Sequence, residues 1–282
     1  MNLIPKLLVF AYPQEAESFL KFYNTTFLFH LKHIQYHFSE QNNTYIIICE
    51  SGSINTSVAL SIFFEKFSSL KNNILCFNIG IAGSYTLPLY QIFLASKVTN
   101  YHHLKSFYPD IFIKTNYAPL MSIEFPANAD IMKLYSQYMF DMEAWTFVNT
   151  LKFFVKNHQI HCIKFISDNN GQIEDIYQFM QVYQNKSEEI IHIINQIALE
   201  YEKHLTIHSN TNKFFIQKII SNLPLTQSQQ IQLSKALHYA LTHQLSEQQI
   251  RDIIHHYNFK SIKHKREKNQ IFKNLLNHLY NV

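Results

Sequence analysis

At 282 residues the chain is long enough for one large domain, or for a domain of about 200 residues with an appendage, and 47% apolar residues can fill a sizeable core. No run of 18 apolar residues occurs, so the sequence offers no segment with the length and apolarity of a membrane-spanning helix. The net charge of +4 is unevenly spread: residues 201–282 carry 11 Lys and Arg against 4 Asp and Glu, whereas the first 200 carry 13 against 16.

Only two of the 24 basic residues are arginine, and Asn, Ile, Tyr and Phe are abundant. That bias fits codon pressure from an AT-rich genome and is not read as function. The three cysteines, Cys49, Cys76 and Cys162, lie in apolar runs and read as buried thiols of a reducing compartment. The apolar stretch 7–12 is too short for a secretory core, with Pro13 and Glu15 following at once. The expectation is a cytoplasmic protein with no membrane association.

Along the chain, residues 7–12, 44–50, 74–79, 92–98 and 160–167 read as strands rich in Ile, Val, Phe and Tyr. Several are apolar nearly throughout, as in strands covered on both faces. Residues 13–24, 55–70 and 142–154 show the i, i+3, i+4 spacing of helices. This alternation predicts an α/β fold, a mostly parallel or mixed twisted sheet flanked by helices, with ligands beyond the carboxyl ends of its strands. From about residue 185 the pattern is helical: 186–203, 212–222, 228–242, 246–257 and 261–280, with starts signalled at Thr226 and Ser246. The expected organisation is an α/β domain over 1–200 and a basic, His-rich all-α extension over 205–282.

Only four glycines occur, Gly52, Gly80, Gly83 and Gly171, and each is expected just after a strand. Strand-end turns are one explanation; a pocket at one rim of the sheet, where the backbone must approach a ligand, is the other. Phe77-Asn78-Ile79-Gly80-Ile81-Ala82-Gly83-Ser84 resembles the NxGxAG motif of the purine nucleoside phosphorylase and methylthioadenosine/S-adenosylhomocysteine nucleosidase superfamily. Ser51-Gly52-Ser53-Ile54-Asn55 resembles that family's earlier glycine turn. Ala11-Tyr12-Pro13-Gln14-Glu15 is similar to the strand end whose glutamate activates water, with Tyr12 in place of methionine. Asp141-Met142-Glu143-Ala144 matches the family's DMEA element, and Ile166-Ser167-Asp168 its closing SD pair. These motifs span roughly residues 7–170, in the family's order.

The resemblance implies a divergent, shortened nucleosidase that cleaves the N-glycosidic bond of a purine nucleoside, adenine-type, as a homodimer in purine metabolism and without metal or cofactor. It implies catalytic roles for Glu15, Glu143 and Asp168, and substrate contacts from Asn78, Gly80, Ile81, Ala82, Gly83, Met142 and Ser167. Each acid also has a plain structural reading: Glu15 in a first helical turn, Asp141 and Glu143 as helix caps, Asp168 in a turn before Asn169-Asn170-Gly171. Three acids suit the chemistry. Breaking a ribosyl C–N bond puts positive charge on the sugar and negative charge on the base, so one group protonates the base, one steadies the ribose and one takes a proton from water.

Phosphorylases of the superfamily hold phosphate with arginines, one of them at the position of Asn78, and no arginine precedes Arg251. Water is therefore the expected nucleophile. Phosphorolysis and non-catalytic binding of a nucleoside or nucleic acid, the latter through basic residues 251–273, are the competing readings. Ten residues separate Asp130 from Asp141, which predicts that the strand carrying the purine-sandwiching aromatic is deleted or replaced, and Ile81 stands where those nucleosidases have serine. Tyr101-His102 resembles a pair near the family's subunit interface. His255, His256 and His264 lack metal-site spacing.

Overall fold

The computed structural model describes residues 3–173, 175–207, 210–243, 245–257 and 265–281. In chain order the strands are β1 (Lys6–Phe10), β2 (Thr26–Leu31), β3 (Ile34–Ser39), β4 (Thr44–Ile48), β5 (Leu75–Ser84), β6 (Ile92–Asn100), β7 (Ser106–Phe107), β8 (Tyr117–Ser122), β9 (Met139–Asp141) and β10 (Ile160–Asp168). The helices are α1 (Pro13–Phe22), α2 (Ser53–Lys66), α3 (Ala129–Leu134), α4 (Ala144–Leu151), α5 (Ile176–Asn185), α6 (Ser187–Ile207), α7 (Asn210–Ser221), α8 (Gln227–Thr242), α9 (Glu247–His256) and α10 (Lys265–Tyr280).

The chain divides into two compact units, Met1–Asp110 with Thr115–Asn195, and Ile111–Lys114 with Gln196–Val282. The first holds a mixed sheet in the order β10-β6-β8-β9-β5-β1-β4-β3-β2. Because β10 also pairs with β5, the strands β5, β10, β6, β8 and β9 form a closed circuit, while β1, β4, β3 and β2 extend from it as an open wing. The pairs β1–β4, β1–β5 and β5–β10 are parallel; β2–β3, β3–β4 and β5–β9 are antiparallel. All five expected strands form. β2, β3, β8 and the short β7 and β9 come in addition; β7 and β9 span only two and three residues, and β2 has almost no buried side chain to mark a period.

One correction concerns β5. It was expected to stop at Ile79 with Gly80 and Gly83 just beyond it, but it continues to Ser84, so both glycines are strand residues. Cross-strand bonding outweighs glycine's intrinsic cost, since Gly80 and Gly83 pair with Lys164 and Asp168 of β10.

One apolar face of the sheet is covered by α2 and α4. Ala59, Leu60, Phe63 and Phe64 of α2 and Ala144, Phe147, Val148 and Leu151 of α4 join Val9, Ile47 and Cys76 in one core. Complete burial of a side chain such as Phe63 contributes about 1.5–3 kcal/mol. All three cysteines are buried and unpaired; burial raises the Cys49 thiol to about 12.

The second unit has its own core, including Phe215, Leu233, Leu237, Ile250, Phe272 and Leu275. Thr226 and Ser246 cap α8 and α9, each answered by a glutamine three residues on. The helix expected from 186 is preceded by α5, and of the stretch 261–280, residues 261–264 lie outside the described residues, as does His264. Among the described residues, no helix is long and apolar enough to cross a membrane, and no three His, Cys, Asp or Glu side chains group to hold a metal.

Candidate active site

A cavity of about 380 Å³ opens in the first unit, a size suited to a small organic ligand. It is bounded by the segments following β1, β4 and β8, by the second half of β5, and by the ends of β9 and β10. Every residue expected at the site lines it: Glu15, Glu143, Asp168, Asn78, Gly80, Ile81, Ala82, Gly83, Met142 and Ser167.

Glu15 lies in the first turn of α1, started by Pro13. Its Oε2 accepts from the Tyr12 backbone N–H at 3.0 Å and its Oε1 from that of Ile81 at 3.2 Å. The first bond is the helix-start role considered from sequence; the second aims the other oxygen across the cavity wall to β5. Burial raises the Glu15 carboxyl above its ordinary value, against the pull of its two backbone donors and of Lys164. A Cβ on Gly80 would stand 2.9 Å from Glu15 Oε1, so this glycine leaves room for a carboxylate rather than making a turn.

Asp168 ends β10, just past a register shift between Ile166 and Asp168 that sets it opposite Gly83. Its Oδ1 accepts from the Ser167 hydroxyl at 2.7 Å and its Oδ2 from the Gly171 N–H at 2.6 Å. The site of a Cβ on Gly83 is 3.1 Å from both carboxylate oxygens. Gly171 has φ +87°, which favours glycine, and a Cβ there would strike the Ala127 carbonyl at 2.5 Å. Neighbouring Asn169 ties the turn to the carbonyls of Ser84 and Leu87.

The paired acids before α4 divide their work. Asp141 caps the helix, its Oδ2 accepting from the Ala144 N–H at 2.9 Å. Glu143 makes no cap bond with its side chain; its Oε1 instead accepts from the Ser51 hydroxyl at 2.6 Å and the Gly52 N–H at 2.9 Å, which ties β9 to the turn after β4. Burial, reinforced by Asp141, raises the Glu143 carboxyl.

Lys164 was missed from sequence. Its Nζ lies 2.7 Å from Asp141 Oδ2, with both side chains almost wholly buried. Burial alone would lower this ammonium, but Asp141 and Glu143 outweigh that and hold it above its ordinary value. The available signal was a single lysine set between Cys162-Ile163 and Phe165-Ile166 in β10. Phe125, Pro126 and Ala127 also line the cavity, directly after β8. They precede the place where a strand was expected to be deleted or replaced: β8, parallel to both β6 and β9, lies upstream of them, and between Asp130 and Asp141 the chain forms only the rest of α3 and the short β9. His102 is exposed.

The buried charge at Glu143 has a measurable consequence. Glu143→Gln can keep both bonds by placing its amide oxygen where Oε1 lies. A carboxyl raised by folding favours the native state below the ordinary glutamate range, and that contribution is lost as pH rises through its folded value. At neutral pH the variant should therefore melt higher than the parent, by about 2–4 °C for each kcal/mol gained. The two melting curves should converge below about pH 4. A variant that melts at or below the parent at neutral pH contradicts this account.

No family model matches the chain, and no curated protein matches it. Solved structures do. A methylthioadenosine/S-adenosylhomocysteine nucleosidase from Colwellia psychrerythraea, in complex with adenine, aligns with a TM-score of 0.57 and 14% identity over 71% of this chain and 96% of its own. The Neisseria meningitidis enzyme of the same name, bound to methylthio-immucillin-A, gives 0.57 and 14% over 71% and 100%. Futalosine hydrolase of Helicobacter pylori gives 0.55 and 13% over 70% and 98%. The chain thus has the fold of these methylthioadenosine/S-adenosylhomocysteine nucleosidases and of futalosine hydrolase.

Proposed function

We propose that this protein is a nucleosidase that hydrolyses the N-glycosidic bond of a purine nucleoside, of adenine type, to the free base and a ribose derivative. The observation that carries the reading is the convergence of three buried carboxyl groups, Glu15, Glu143 and Asp168, on one cavity of about 380 Å³. Asp168 passes a proton to N7 of the base, Glu143 holds the ribose hydroxyls through its free oxygen and steadies the oxocarbenium-like transition state, and Glu15 takes the proton of the attacking water. The Phe125 ring supplies an apolar face for the base, and the backbone from Gly80 to Gly83 approaches the ligand without bulky side chains.

Water is favoured over phosphate as nucleophile by charge. Among the residues lining the cavity the only lysine or arginine is Lys164, and Asp141 already engages it. A phosphate dianion would meet Glu15, Asp141, Glu143 and Asp168 with no cation to spare. Residues 205–282 are proposed as an appended helical domain, and the assembly as a homodimer.

The test is to incubate purified protein with adenosine, methylthioadenosine, S-adenosylhomocysteine, inosine and futalosine, with and without inorganic phosphate. Release of free base at a rate indifferent to phosphate supports hydrolysis. Strict dependence on phosphate, with ribose 1-phosphate as product, replaces it by phosphorolysis, and no turnover of any nucleoside overturns the enzymatic reading.

A further inference from the structure

Asn78 is a polar residue that the fold buries and leaves unanswered. It is 3% exposed, lines the cavity, and its Oδ1 has no hydrogen-bond partner. Its partners in register are Val9 on β1 and Cys162 on β10, and Phe77 and Ile79 flank it in sequence. An apolar side chain would serve stability better in such surroundings, since an unpaired buried acceptor is costly.

The pleat says what lies beside it. Alternate residues of a strand share a face, so Asn78 and Gly80 point to the same side of β5. Lys164 pairs with Gly80 across the parallel ladder, and the side-chain direction of Gly80 runs into Glu15 Oε1. The Asn78 amide, the Glu15 carboxylate and the Lys164 ammonium therefore gather on one face around a position without a side chain.

Resting on the hydrolase reading above, we propose that Asn78 orients the attacking water. Its Oδ1 accepts one hydrogen of the water while Glu15 accepts the other, which turns the remaining lone pair toward the anomeric carbon. In the step itself one O–H bond breaks and its proton passes to Glu15. The water oxygen bonds to the anomeric carbon, and the electron pair of the broken C–N bond leaves with the base, which takes a proton from Asp168. Asn78 exchanges no proton. Its contribution is geometric, because a water held by two acceptors has far less freedom to turn than one held by a single carboxylate.

The experiment uses Asn78→Leu and Asn78→Ala in the full chain, assayed on the nucleoside that the parent turns over best. Both variants should lose kcat by about 10²-fold with KM within about threefold, the pattern of an interaction absent from ground-state binding. Asn78→Leu should melt no lower than the parent. In mixed water and methanol, the ratio of methyl riboside to ribose should rise about tenfold or more in Asn78→Leu, because the acceptor that selects a nucleophile with two hydrogens is gone. A kcat within about twofold of the parent in both variants overturns the proposal and leaves hydrolysis standing. Lowered kcat with a lowered melting temperature and an unchanged methanol ratio makes Asn78 structural and overturns it equally. A parent inactive on every nucleoside removes the hydrolase reading first, and this proposal with it.

Discussion

Asp168→Asn should slow release of a purine base by about 10²–10⁴-fold, the usual worth of one general acid. The substitution suits the question because it can spare the geometry. The amide oxygen can accept from the Gly171 N–H as Oδ2 does, and the amide nitrogen can donate to the Ser167 hydroxyl, which rotates to receive it. The fold and the turn at Gly171 therefore persist while the transferable proton is lost. A substrate whose leaving group departs without protonation separates this role from others. On 4-nitrophenyl riboside the variant should stay within about tenfold of the parent. Equal loss on both substrates would assign Asp168 to positioning; unchanged turnover of the purine nucleoside would remove it from the mechanism.

Glu15→Gln should cost a similar factor, about 10²–10⁴-fold, but on both kinds of substrate, since each needs an activated water. The parent's pH profile carries the same information. Glu15 acts as a base only when ionised, and burial raises its carboxyl. The acid limb of kcat/KM should therefore fall off at a pH above the ordinary glutamate range of about 4.3. Glutamine offers one acceptor where Glu15 serves two backbone donors, Tyr12 and Ile81, so one N–H loses its partner at a cost of about 1–3 kcal/mol. The assay is accordingly run well below the variant's melting temperature. An acid limb unchanged by the substitution would assign the titration to another group.

The opposing outcomes for Glu143 and Glu15 follow from their bonding. Glu143 spends a single oxygen on Ser51 and Gly52, so an amide can replace it without loss, whereas both oxygens of Glu15 are committed. Each places a costly buried carboxyl in the same cavity. Stability is given up at that point of the fold where charge is needed.

The sequence by itself determined the strand–helix alternation, the two helix starts at Thr226 and Ser246, and the three acids at or beyond strand ends. Such features are local: apolar runs, Pro13 at a helix start, and Thr226 or Ser246 with a glutamine three residues on can be read without knowing what packs against them. Only the tertiary structure decided the rest. Closure of β5, β10, β6, β8 and β9 depends on pairings between distant strands, which no local period encodes. That closure carries β5 through Gly80 and Gly83, where the missing side chains make room for the Glu15 and Asp168 carboxylates. It also inserts β8 between β6 and β9, which brings Phe125, just past β8, to the cavity wall. The Lys164–Asp141 pair was invisible for the same reason, because a buried charge is intelligible only with its partner, and the partner lies on another strand.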